Sequence, residues 1–194
     1  MLHRLLSKNK TRRAGFTMLE MMVVVAIVLA MTAIVIMYIP QFRDRSALDL
    51  VAQEIAITIR SAQVYASGGK IPAGEIEAKP SYGVNFSNND REFRLYTNDP
   101  LAPGLVGSTA STTYKMHAIK ISRICTITSG RDSCVDRPSV DIVYTRPQLG
   151  AKIYDDSGDS ISATEIFIQA DKTQKEKKII VRSNGQISVE NVAD

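Results

Sequence analysis

The chain has 194 residues, no tryptophan and an aromatic content of only 6%, so it lacks the aromatic-rich platform on which bases are stacked. Histidine is nearly absent: there are two, His3 and His117, and two cysteines, Cys125 and Cys134. A zinc centre draws three or four ligands from such residues, so no metal or other cofactor is expected. There is no P-loop, no glycine-rich dinucleotide turn, no Gly-x-Ser-x-Gly elbow and no His-Glu-x-x-His pair, and catalysis is not expected. Internal repeats are also missing. The last shortage is local: no acidic residue occurs before Glu20.

The acid-free leader, residues 1–15, carries Arg4, Lys8, Lys10, Arg12 and Arg13. A basic flank of this kind holds the N-terminus in the cytoplasm and orients the next apolar segment across a membrane. A secretory signal would place small residues for cleavage after its apolar core. Here the small residue, Gly15, comes before it. Residues 16–39 contain one charge, Glu20, and 24 residues rising about 1.5 Å each span roughly 36 Å, enough for a tilted bilayer crossing.

A carboxylate in such a helix is costly and calls for a partner, unless it sits at headgroup level where the positive end of the helix dipole favours it. Cleavage after Gly15 would create an amine on Phe16, four residues from Glu20 and, on a helix, on the same face. Gly15-Phe16-Thr17-Met18-Leu19-Glu20 followed by an apolar helix resembles the cleavage and methylation motif of the type IV pilin superfamily. That resemblance implies a prepilin peptidase as partner, a cut between Gly15 and Phe16, N-methylation of Phe16, and pairing of Glu20 with a neighbouring subunit's N-terminus during assembly.

Loss of the leader changes the charge balance. The full chain has 24 Lys and Arg against 20 Asp and Glu; without residues 1–15 the count becomes 19 against 20, so the high pI belongs to the leader. The chain beyond the apolar run suffices for one modest domain. Pro40 should kink the helix, with a turn there as the alternative. Beyond it Leu48, Val51, Ile55, Ile59, Ala62 and Ala66 recur at spacings of three and four, an apolar stripe meant to cover a sheet. Ser67-Gly68-Gly69 ends it.

The rest reads as short strands between turns: residues 82–87 and 92–97 as a hairpin, a loop over 98–113, then 114–128, 140–145, 161–170 and 178–183, with Asn184-Gly185 as a type I′ turn into 186–190. The expected fold class is α+β, a long N-terminal helix packed on an antiparallel β domain. Its divisions are the leader 1–15, the membrane and assembly helix 16–39, its amphipathic continuation 40–67 and a globular domain 68–194. Ser81-Tyr82-Gly83-Val84-Asn85-Phe86, Ile142-Val143-Tyr144-Thr145-Arg146-Pro147, Glu165-Ile166-Phe167-Ile168 and Lys178-Ile179-Ile180-Val181 resemble strands of GspH/FimT-like minor pilins and pseudopilins. This second resemblance implies a minor subunit of a type IV pilus or of a type II secretion pseudopilus, lodged in the inner membrane with its C-terminal domain in the periplasm.

Cys125 and Cys134 would then lie in an oxidising compartment, where a pair reads as a disulfide, with two unpaired thiols as the alternative. Asp155, Asp156 and Asp159 surround a turn and could suit a hard cation, but their spacing is not that of an EF-hand and a solvated turn is expected. Lys172, Lys175, Lys177, Lys178 and Arg182 form a basic run that could engage phosphates nonspecifically; Asp171 and Glu176 interrupt it, and a solvated strand edge guarded by lysines explains it without a ligand. The competing function is accordingly a filament-tip adhesin or DNA receptor.

Overall fold

The computed structural model describes residues 15–68, 81–98, 110–127, 134–146 and 150–192. The basic leader up to Ala14 and most of the expected loop over 98–113 lie outside the described residues. The chain divides into two compact units, Met1–Pro40 and Gln41–Asp194.

One helix, α1 (Met18–Gly68), supplies the whole of the described N-terminal structure. It is unbroken at residue 40, so the turn considered there is not formed. In the first unit every described residue is exposed. The run is apolar around its full circumference, and a helix of that kind has no polar face to give to water. By length and composition it can cross a membrane.

In the second unit the same helix becomes one-sided. Leu48, Val51, Ala52, Ile55, Ile59, Ala62 and Ala66 are buried, the stripe that the three-and-four spacing predicts, and they pack with the inward residues of two antiparallel sheets. The first sheet has the order β3-β2-β1-β6-β7-β8, built from β1 (Ser81–Ser87), β2 (Glu92–Asn98), β3 (Ala110–Lys115), β6 (Ser139–Tyr144), β7 (Ala151–Asp155) and β8 (Ser160–Ile161). The second has the order β11-β10-β9-β4-β5, from β4 (Ile119–Ile127), β5 (Val135–Asp136), β9 (Ala163–Ala170), β10 (Glu176–Arg182) and β11 (Ile187–Asn191). Alternation sorts the faces: Ile166 and Ile168 of β9 point inward with Ile179 and Val181 of β10, while Phe167 points outward beneath the Arg123 guanidinium, 4.2 Å from its ring centre.

The sheets are sewn together at the β1–β2 turn. Asn89 N–H donates to Ile121 O and Ile121 N–H donates to Asp90 O, both at 2.9 Å, and Met116 N–H reaches Arg91 O at 2.7 Å. Asn89 takes φ 59° in this turn, a left-handed value that asparagine tolerates better than most residues. A bidentate Arg91–Asp171 ion pair then ties the turn to the end of β9. At its other end α1 has no basic residue in the last turn. Its orphan carbonyls on Ala66 and Ser67 accept instead from Arg146, at 3.0 and 3.1 Å, which also sets a cation against the negative end of the dipole.

Four local expectations are corrected. Residues 110–113, placed in a loop, belong to β3, because β-branched Thr112 and Thr113 pair opposite Leu95 and Arg94. The stretch 114–128 is not one strand: residues 116–118 turn between β3 and β4, with Ala118 at φ 61°. The Asn184-Gly185 hairpin forms, but not through a type I′ turn, since Gly185 alone has positive φ (85°). Gly185 N–H donates to Arg182 O at 2.8 Å and Arg182 N–H to Gln186 O at 3.0 Å, the pattern of a three-residue loop with a bulge. Finally, the turn after β7 is not simply solvated. The Asp155 side chain is wholly buried and ion-paired with Arg137 at 3.0 Å, while its Oδ1 accepts from the backbone N–H of Ser157 and Asp159.

Candidate processing and assembly site

The geometry around the motif is that of a helix start. Thr17 caps α1: its Oγ1 accepts the Glu20 N–H at 3.2 Å, and its carbonyl takes the first helical bond, from Met21 N–H, at 3.2 Å. Thr-x-x-Glu is the pattern of a capping box, and it gives Thr17 a role that the motif reading had left unassigned. The signal was available in the sequence as threonine with glutamate three residues later.

Because the helix begins at Met18, residues 15–17 are non-helical. The Gly15–Phe16 bond therefore lies outside the helix, and Phe16 is 75% exposed. A peptidase requires an extended, reachable bond, which a helical segment would deny it. In the unprocessed chain Phe16 precedes the first turn of α1; the shared face expected of Phe16 and Glu20 concerns the cleaved chain. Among the described residues the Glu20 carboxylate has no partner. Only its backbone is engaged.

Residues 10–36 match the family model described as the prokaryotic N-terminal methylation motif. The match supports the type IV pilin superfamily, whose motif-bearing members are structural rather than catalytic, and with it a prepilin-like chain processed by prepilin peptidase. No curated protein and no solved structure matches the chain. The apolar start of α1 accords with membrane anchoring.

Some of the other candidate residues come together and others are separated. Cys125 and Cys134 are joined in a disulfide with a Cα–Cα distance of 5.1 Å. It links β4 to the residue preceding β5. Asp136 lies beside both sulfurs, but with the thiols oxidised this trio has no thiolate to offer a metal. His117 is exposed in the β3–β4 turn.

The basic run is dispersed by strand alternation. Lys177 turns toward α1 and pairs with Asp49. Lys178, its neighbour, points to the opposite face between Glu165 and Glu190, 3.4 Å from each. Arg182 donates to Gln186 Oε1 at 3.0 Å, Lys172 is exposed in the β9–β10 turn, and Lys175 lines a cleft beside α1.

A separate polar cluster sits on the first sheet. Asp141 Oδ1 accepts from Tyr96 Oη at 2.9 Å and from Asn85 Nδ2 at 3.1 Å. Burial raises the Asp141 pKa above the usual carboxylate range, against the pull of those two hydrogen bonds. The Tyr96 ring lies across Gly83, where an added Cβ would come within 2.4 Å of it, so that glycine is required by packing. On the inward face Tyr144 is buried with its hydroxyl unpartnered, and burial pushes its pKa up to about 12. These residues consolidate the domain and have no geometry for chemistry on a substrate.

Proposed function

We propose that this chain is a minor pilin-like subunit, cut between Gly15 and Phe16 and N-methylated on Phe16. It is then drawn from the inner membrane into a type IV pilus or a type II secretion pseudopilus. Residues 1–15 act as the leader, 16–39 as the membrane and assembly helix, 40–67 as its amphipathic continuation, and 68–194 as the globular domain carried in the periplasm. The observation that carries this reading is Glu20, the one charge in an otherwise uncharged apolar run, with no carboxylate partner among the described residues of its own chain. A buried anion seeks a cation, and a neighbouring subunit's freed N-terminal amine supplies one.

Mass spectrometry of the mature protein tests the processing step: the reading requires N-methylated Phe16 at the N-terminus, and any other terminus in cells with active peptidase defeats it. For assembly, Glu20→Ala should still insert and be cleaved but enter filaments poorly, and wild-type incorporation would count against the pairing role. The alternative of a filament-tip adhesin or DNA receptor finds less support, since Lys177 and Lys178 are engaged on opposite faces and the run makes no single basic surface.

A further inference from the structure

Among the described residues the outermost strand of the second sheet, β11, is an edge whose one charged residue, Glu190, is held by Lys178. Among the described residues no strand pairs with its far side. It has no proline and no lysine, and its register with β10 is regular over Ile187–Asn191, whereas edges are ordinarily blunted by such devices. The direction of its backbone groups is set by the hairpin. Arg182 N–H bonds Gln186 O, and antiparallel pairs alternate between bonded and non-bonded. Ser188 and Glu190 therefore bond β10, while Ile187, Val189 and Asn191 turn their N–H and C=O outward.

Two clefts run along this edge between β11 and α1. One, of about 340 Å³, is lined by Arg45, Asp49, Lys175, Glu176, Lys177 and Asn191 among others. The next, of about 310 Å³, is lined by Gln53, Ala56, Ile57, Arg60, Ile187 and Val189. The helix numbers rise as the strand numbers fall, so the clefts follow one another along β11 and are taken together as one groove. Ile57, 62% exposed, stands in the second cleft with Ile187 and Val189. Four cations line the groove, Arg45, Arg60, Lys175 and Lys177, against Asp49 and Glu176, and Asp49 is already taken by Lys177.

We propose that this groove receives an extended segment of another protein, added as a strand to β11, whose groove-facing alternate side chains are aliphatic at the centre, directed at Ile57, Ile187 and Val189, and acidic at the two ends, directed at Arg45 and Lys175 at one end and Arg60 at the other. Main-chain bonds to Ile187, Val189 and Asn191 supply the affinity, and the alternate side chains supply the selection. Among the described residues Arg45, Arg60 and Lys175 have no ion-pair partner, an excess of cations that favours an acidic strand over a second copy of this edge, whose own Glu190 is engaged by Lys178.

The test uses the full chain in detergent and a labelled heptapeptide Glu-Ser-Val-Ser-Val-Ser-Glu, whose first, third, fifth and seventh side chains share one face, monitored by fluorescence anisotropy. Binding should weaken with salt, and it should fail with the peptide Lys-Ser-Val-Ser-Val-Ser-Lys. Val189→Pro removes an outward donor without touching the β10–β11 ladder and should weaken binding about tenfold, as should Arg60→Gln. Should Val189→Pro not fold, Arg60→Gln and slowed amide exchange at Ile187, Val189 and Asn191 on peptide addition decide the matter. Equal binding of the two peptides, or affinity unchanged in the variants, overturns the proposal. So does self-association of the unliganded chain that Val189→Pro abolishes, because the occupant would then be a second copy.

Discussion

Both stretches of α1 are rich in aliphatic side chains, yet in the first every described residue is exposed, whereas Leu48, Val51, Ile55, Ile59 and Ala62 in the second are buried. Hydrophobicity alone does not separate them. The second stretch confines its apolar residues to one stripe that a sheet can cover, with Gln53, Glu54 and Arg60 left to water. The first is apolar on all sides, so no single sheet of its own chain could satisfy it. That pattern suits lipid or like helices. One helix thus carries two patterns, and residue order decides where each begins.

The sharpest way to break this comparison is to make the same kind of cut in both stretches. Ile59→Ala, at a fully buried position, should destabilise the second unit by about 2–5 kcal/mol. Val28→Ala, exposed in the first, should leave its urea midpoint unchanged. Equal losses would mean that the two stretches share one packing environment. Next in size, replacing Cys125 and Cys134 by serine reopens a short loop in the second unit alone and should cost roughly 2–3 kcal/mol in the loop-entropy model. Chemical denaturation under oxidising and reducing conditions reads it: only the wild type should respond to reductant.

Gly83→Ala should come third, at about 1–3 kcal/mol, because the new Cβ displaces the Tyr96 ring. Loss of the Tyr96 hydroxyl bond to Asp141 would appear in the tyrosine ultraviolet difference spectrum, and an unchanged melting temperature would show that the ring yields freely. The smallest effect is pH-dependent. The folded Asp141 pKa is raised by burial, so the folded state holds its proton more tightly than the unfolded one and stability contributed by this group falls as pH rises from the unfolded value through the folded one. Asp141→Asn keeps an acceptor for Tyr96 and Asn85. It should therefore match the wild type in acid and gain on it toward neutral pH, by no more than about 1 kcal/mol. A constant offset between pH 3 and pH 7 would refute that cause.

Legibility from sequence tracked how local the cause was. The stripe of α1, the β1–β2 hairpin and the Gly15-Phe16-to-Glu20 motif rest on spacing within a few residues, and the structure contains the stripe and the hairpin as read. The strands β5, β7 and β8 went unseen because they are two to five residues long and borrow their stability from neighbours distant in sequence. Asp155 read as solvated because its partner Arg137 comes from another part of the chain. The basic run left a phosphate patch open beside the guarded strand edge because a strand's period of two, which separates Lys177 from Lys178, matters only once the strand has two occupied faces.

Residue order alone determined the polarity of the molecule: an acid-free basic start, the Gly15-Phe16 motif, a helix start capped by Thr17, and an apolar cylinder with one charge. Each is a matter of position along a line, and nearest-neighbour chemistry suffices to read it. Tertiary structure decided the rest: that Arg146 closes the far end of α1, that the Tyr96 ring requires glycine at position 83, and that β11 is left with an open edge beside a basic groove. Those outcomes depend on which strands meet. Pairing between distant segments is selected by burial of the whole core, which no short stretch of sequence encodes.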